Sequence, residues 1–356
     1  MAYTNIDDPS AYFHTLLWTG NGADNRALTN DANAGNFKPD FVWVKGRNQA
    51  EWHNVYDSSR GVNKSLYPNS NYQEESLSET FESFDTNGFT VSYNSAYGSV
   101  FTNKNSTTYV AWQWKCNGGT TSTNTDGDIT STVQTNQDAG FSIVTYTGNT
   151  SNNQTVGHGL GVKPSVILIR NRTRVEDWRL NHQSINNGTG MIRLNSTDAY
   201  NTTGTTLMNV APTSSVFNVS TDWSVNGNYP FVAYCFAEKQ GYSKFGKYVG
   251  NGSTNGPFIY TGFKPAFLIM KETSSSGGNW VMFDNKRDTH NVTKHRLFPN
   301  LTNSDNTTRN YIDLLSNGFK LRDTDFDHNQ SGETMIYMAF AENPFVTSTG
   351  VPATAR

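Results

Sequence analysis

A nine-residue phrase occurs three times in this chain of 356 residues. Phe37-Lys38-Pro39-Asp40-Phe41-Val42-Trp43-Val44-Lys45 returns as Val162-Lys163-Pro164-Ser165-Val166-Ile167-Leu168-Ile169-Arg170 and again as Phe263-Lys264-Pro265-Ala266-Phe267-Leu268-Ile269-Met270-Lys271. Internal repetition restricts the fold to one supersecondary unit built three times. Other landmarks keep register with the phrase. An aromatic-x-Gly-Asn turn lies upstream at Trp18 to Asn21, Tyr146 to Asn149 and Tyr248 to Asn251. Trp52, Trp178 and Trp280 follow the three prolines by 13, 14 and 15 residues. A closing octet runs Tyr109 to Cys116, Phe231 to Glu238 and Met335 to Glu342.

The phrase is a short run of β-branched and aromatic residues ending at a cation, which reads as a strand buried on both faces. Proline at its start sits where a missing N–H is tolerated. The octets alternate. One face carries Val110-Trp112-Trp114, Val232-Tyr234-Phe236 and Ile336-Met338-Phe340, and the other is mostly small. Gly and Asn turn signals recur throughout, and only Glu74 to Phe84 suggests a helical turn or two. The expectation is all-β: three tandem β-sandwiches, lectin-like or jelly-roll in style. They span 1–117, 140–239 and 240–346. A polar stretch at 118–139 is a linker or an edge strand, and a tail occupies 347–356. Whether the three line up or close into a pseudo-threefold cluster stays open at this stage.

Composition excludes several classes. The formal net charge of -3 and the singly scattered Lys and Arg leave no basic surface for nucleic acid. No run approaches the ~18–20 apolar residues of a membrane helix, so membrane insertion is not expected. MAYTNIDDPS lacks a signal pattern, which points to synthesis in a cytoplasm. Cys116 and Cys235 fall on opposite faces of equivalent strands in different copies, so they read as buried small apolar residues rather than a disulfide. Gly157-His158-Gly159-Leu160-Gly161 precedes a strand instead of opening a helix, which favours a turn over a nucleotide loop.

No catalytic constellation emerges, and the chain reads as a non-enzyme. Asp323, Asp325 and Asp327 alternate onto one side if extended and could hold Ca²⁺ through hard oxygen ligands. A solvated loop is the simpler reading, because His328 stands where an EF-hand needs glycine. The motif tryptophans suit a core, since every copy must fill one. Trp43, Tyr93, Tyr97 and Trp223 recur less and are the candidates for ligand contact on variable loops.

The phrases FKPDFVWVK, WHNVYDSSRG, YVAWQWK, YVGNGSTNGPFIYTGFKPAFLIMK, NWVMFDNKR, SNGFKLR and YMAFAENPF resemble a repeated domain in uncharacterised virion structural proteins of marine tailed bacteriophages, including those of cyanobacteria. That resemblance implies a virion component: a tail fibre, spike or capsid decoration. Its partners would be other virion proteins and a host-surface glycan or protein, with a homotrimer expected from the setting. An architectural cement of capsid or tail is the alternative. The general appearance is also similar to concanavalin-like lectin sandwiches, an analogy of fold alone.

Overall fold

The closing octets form the strands Thr108–Trp114, Pro230–Phe236 and Thr334–Pro344. Each pairs antiparallel on one side with the strand leading into the Gly-Asn turn: Phe13–Thr19, Phe141–Thr147 or Ser243–Val249. On its other side lies the Pro-phrase strand: Phe41–Gly46, Val166–Asn171 or Phe263–Glu272. A short strand completes each set: Asn54–Asp57, Arg179–His182 or Val281–Asp284. The same order of four strands therefore recurs three times. This computed structural model describes residues 3–31, 35–98, 100–200 and 208–353, and the last three residues of the expected tail lie outside that set.

The small faces of the octets point outward. Ala111, Ala233, Cys235 and Ala339 each join a core local to their own copy. In the first and third copies a three-stranded sheet covers this side, and in the second a two-stranded sheet does. Each copy is thus a two-layer sandwich, all-β as the alternation implies.

The large faces do something else. Val110, Trp112, Trp114, Val232, Tyr234, Phe236, Ile336, Met338 and Phe340 all enter one hydrophobic core common to the three copies. Trp114, Phe236 and Phe340 hold the same octet position, and their rings meet at 6.2, 5.4 and 5.7 Å between centroids. Phe13 stacks on Phe340 at 5.6 Å, which joins the beginning of the chain to its end. Aromatics of this size each bury ~150–250 Å², so the axis carries a large share of the apolar burial. The copies close into a pseudo-threefold ring.

Side-chain donors repeat around the ring in one direction, from first copy to third, second to first and third to second. The cation that ends each Pro phrase is buried, and it crosses to a carbonyl of the next copy. Lys45 Nζ donates to Thr302 O at 3.1 Å, Arg170 Nη2 to Asn71 O at 2.8 Å, and Lys271 Nζ to Thr197 O at 3.5 Å. Backbone bonds beside them run the other way across each boundary, from Asp305 N to Arg47 O, Glu74 N to Arg172 O and Tyr200 N to Thr273 O. Ring donors form a third set. Trp178 Nε1 reaches Tyr67 O at 2.7 Å and Trp280 Nε1 reaches Arg193 O at 2.9 Å.

In the first copy the third donor is His53, whose Nε2–H meets Phe298 O at 3.0 Å. Its backbone N–H bonds Asn69 Oδ1, as Trp178 and Trp280 bond Asn195 and Asn300. Trp52 is therefore not the equivalent of the other two tryptophans. It lies half-buried, packed on Tyr67 at 4.8 Å, and the imidazole takes the core position. Offset counting paired indole with indole, whereas the position requires an N–H donor on a ring, which His53 also supplies.

One further local reading changes, and one open alternative resolves to an edge strand. Glu74 to Phe84 holds the strands Glu75–Ser76 and Phe81–Asp85 instead of a helical turn. Phe81 stacks on Tyr56 and Phe89, and pairing with Gly88–Val91 across a tight turn outweighs local helical propensity. The stretch after the first copy is no loose linker. Ser122–Asn124 and Ser131–Asn136 extend the second sheet to seven strands. Both cysteines are free and buried, one in the common core and one in the second copy's own core.

The Gly-Asn turns have a common cause. A buried asparagine (Asn103, Asn226 or Asn329) accepts the N–H of Asn21, Asn149 or Asn251 and donates to a carbonyl beyond it. A Cβ on Gly20, Gly148 or Gly250 would stand 2.1–2.3 Å from a backbone oxygen of the loop before the octet. Only glycine permits that approach.

Candidate ligand-contact surface

The loop before the second octet begins at Asp222. Its carboxylate accepts from Ser224 N at 2.8 Å and caps the single helical turn Trp223–Asn226. Ser224, Val225 and Asn226 face inward, so Trp223, at the first helical position, is left 51% exposed. Buried Asn171 couples this turn to the next loop. Its Nδ2 donates to Trp223 O at 3.3 Å, while its Oδ1 accepts from Thr173 and Arg174 N–H groups at 3.1 Å.

That coupling places the Arg174 guanidinium carbon 4.5 Å from the centroid of the Trp223 ring and 5.3 Å from that of Tyr229. Arg174 Nη1 donates to the Tyr229 hydroxyl at 3.2 Å, and this bond raises the pKa of Arg174 above its ordinary value. The two rings lie 6.0 Å apart at a tilt of 42°. Beneath them Arg179 bonds Ser224 Oγ at 2.9 Å. Burial lowers the pKa of Arg179, and Asp222 and Asp177 work against that shift. The result is an amphipathic patch: two aromatic faces edged by a guanidinium, a phenol and amides. It can stack on an apolar ring face and donate hydrogen bonds to hydroxyls around it.

The other sequence candidates lie apart from it. Trp43 is 5% exposed in the common core and donates Nε1 to His53 Nδ1 at 2.9 Å, so it offers no surface. Tyr93 is half-buried against Phe101 at 5.4 Å. Tyr97 is half-buried beside Tyr67, Leu77 and Val100, its hydroxyl 3.1 Å from Ser78 Oγ. Arg174 and Tyr229 escaped the sequence reading. The available signal was Arg172-Thr173-Arg174 after the second Pro phrase, where the other copies have Arg47-Asn48-Gln49 and Thr273-Ser274-Ser275.

Asp323, Asp325 and Asp327 do come together, but around protein cations. Asp325 Oδ1 lies 2.8 Å from Arg296 Nη1, and Asp327 Oδ2 lies 3.4 Å from the same nitrogen. Asp323 pairs with the fully buried His328 at 2.9 Å. Asp325 also caps the turn Phe326–Asn329 by accepting from Asp327 N. Burial raises the pKa of Asp327; at Asp325 it is outweighed by His328 and Arg296, and that carboxyl stays below its ordinary value. The segment is packed rather than solvated, and a guanidinium stands where the sequence suggested Ca²⁺. Among the described residues no group of three or more His, Cys, Asp or Glu is arranged to hold a metal.

Fold and surface together define an internally repeated β-sandwich protein whose differing loops ride on a common pseudo-threefold core. The chain belongs to the DUF7483 family, described as a domain of unknown function, which matches residues 8–344 in a single span covering all three copies. Neither a curated protein nor a solved structure matches it.

Proposed function

We propose that this chain is a non-enzymatic bacteriophage virion surface protein, a fibre, spike or head decoration, that attaches to host-surface glycan through the Trp223 patch. The observation that carries the reading is Trp223, 51% exposed on a turn locked by Asp222 and Asn171, with Arg174 at 4.5 Å. A single exposed indole is ordinary on a surface, but this one is held on a locked turn beside a second ring and a guanidinium, and loops on a rigid scaffold are where binding residues collect. The virion setting rests on the sequence resemblance. The test is adsorption of the purified protein to host cells. Trp223→Ala should weaken it by about tenfold or more with melting unchanged, as for an exposed anchor residue. Undiminished adsorption, or particle density showing Trp223 beneath other subunits, overturns the reading.

One observation favours the architectural alternative. Phe258 and Tyr260 are 46% and 53% exposed on an edge strand of the third copy's outer sheet. Exposed aromatics on an unpaired edge suit contact with another protein. A cement would bury that edge in the particle.

A further inference from the structure

We propose that the second copy holds a separate groove for a neutral saccharide, between the strands Ser122–Asn124 and Ser131–Asn136 and the glycine-rich loop at 157–161. The groove has a volume of about 470 Å³, inside the ~300–1,000 Å³ span of small-ligand sites. It lies where the second copy departs most from the others. One wall comes from the polar stretch after the first copy. Another comes from Ser214-Ser215, which stand where the first and third copies have Asn-Gly-Phe.

Its chemistry is that of a polyhydroxyl ligand. Hydroxyls and amides line it, Asp126 is the lone carboxylate, and no cation takes part, so an anionic ligand would find no counter-charge. Gly159 and Gly161 sit at φ of +72° and +71° and form a wall of bare backbone. A Cβ at Gly159 would come 2.7 Å from Thr135 Oγ1. That hydroxyl is enclosed behind the wall, and among the described residues it has no hydrogen-bond partner.

The groove is also pre-formed. Buried His158 accepts Leu160 N–H on Nδ1 at 3.2 Å and meets Thr213 O through Nε2 at 3.3 Å. Its own N–H bonds Ser215 O at 3.1 Å, and Gln137 Nε2 holds Gly159 O at 3.0 Å. Burial keeps the imidazole pKa below its ordinary value, which preserves the neutral form that can both donate and accept. A site held this way loses little entropy on binding.

This inference shares only a ligand class with the Trp223 reading, and the two separate experimentally. The probes are neutral hexasaccharides of glucose, galactose, mannose and xylose beside a uronic-acid hexasaccharide, titrated calorimetrically into the full chain. At least one neutral sugar should bind saturably. Ser122→Trp, which fills the groove, should weaken it about tenfold or more, and Gln137→Ala several-fold, while Trp223→Ala leaves it unchanged. Binding only of the uronic-acid sugar, of no sugar, or of neutral sugars indifferent to both groove variants overturns the proposal. If Ser122→Trp proves unstable by melting, Gln137→Ala decides on its own.

Discussion

Trp112 Nε1 donates at 3.0 Å to Asp284 Oδ2, across the boundary between the first and third copies. At the next boundary Tyr234 gives its hydroxyl to Asp57 at 2.6 Å. At the last boundary the donor position is Met338, which has nothing to give, and the receiving position is His182. The neighbours change with it. Arg60 and Arg287, buried and paired with Asp57 and Asp284, correspond to Ile185. Glu74 and Asp305, which join those guanidinium groups to Arg172 and Arg47 of the following copy, correspond to Tyr200. A buried carboxylate deprived of its donors is costly, so the network is present complete at two boundaries and replaced complete at the third.

Removing members together should therefore cost less than the sum of removing them one at a time. Asp57→Asn is expected to lower unfolding free energy by ~1–3 kcal/mol, because it takes from the buried Arg60 one of its two carboxylate partners and leaves Glu74. The triple change Asp57→His, Arg60→Ile and Tyr234→Met copies three of the positions that differ at the third boundary, with Glu74 kept, and should cost clearly less than the three single changes summed. Urea melts of the four variants check this, and strict additivity would contradict it.

Arg170→Met takes the guanidinium donor from the carbonyls of Asn71 and Tyr72 at the boundary between the second and first copies, and Asn71 O keeps the N–H of Glu176. The expected loss is about 1–3 kcal/mol by thermal or urea unfolding. Arg170→Lys should recover part of it, since Lys45 and Lys271 hold the same position with one crossing bond each.

Acid should loosen the ring. Burial holds the His182 pKa at about 4, where it accepts Ser184 N–H on Nδ1 and donates Nε2–H to Tyr337 O at 3.1 Å. The unfolded imidazole takes a proton near pH 6.5 that the folded one refuses, so stability rises with pH. The contribution, about 3 kcal/mol, is complete above pH 6.5 and is lost as pH falls from there towards 4. His182→Gln should flatten unfolding free energy against pH in that window, and an unchanged slope would count against it.

A single copy should not fold alone. Residues 118–239 expressed by themselves would expose Val166, Leu168, Tyr234 and Phe236, which lie in the common core. The expected product aggregates or binds hydrophobic dye. A monomer with a dispersed, sharp NMR spectrum would show that each sandwich is self-sufficient.

Much of each copy was legible because strand alternation has period two and burial leaves its mark on it. Trp112 and Trp114 on one face and Ala111 on the other fixed the octet's orientation without any partner in view. The meaning of the large face was hidden. Sequence shows that a face is apolar, but not whether it meets its own second layer or another copy. His53 was hidden for a related reason: the position selects a ring N–H donor, and likeness of side chains pointed to Trp52. At the site, Trp223 stood out as an unrepeated aromatic. Arg174 lies 49 residues from it in sequence and is brought to it by the Asn171 coupling, while Tyr229 lies 6 residues on, beyond the turn at Gly227.

Closure of the ring within one polypeptide also changes what dilution can do to it. Three separate chains packed on the same aromatic axis would dissociate as their concentration fell. Here tethering keeps each copy at a high effective concentration for its neighbours, so the assembly survives as a single molecule. It also releases the copies from having to be identical. A trimer must display every surface feature three times, whereas this chain can carry an aromatic patch and a polar groove once each, facing one side of the axis. Any larger structure that receives it must then orient it about that axis.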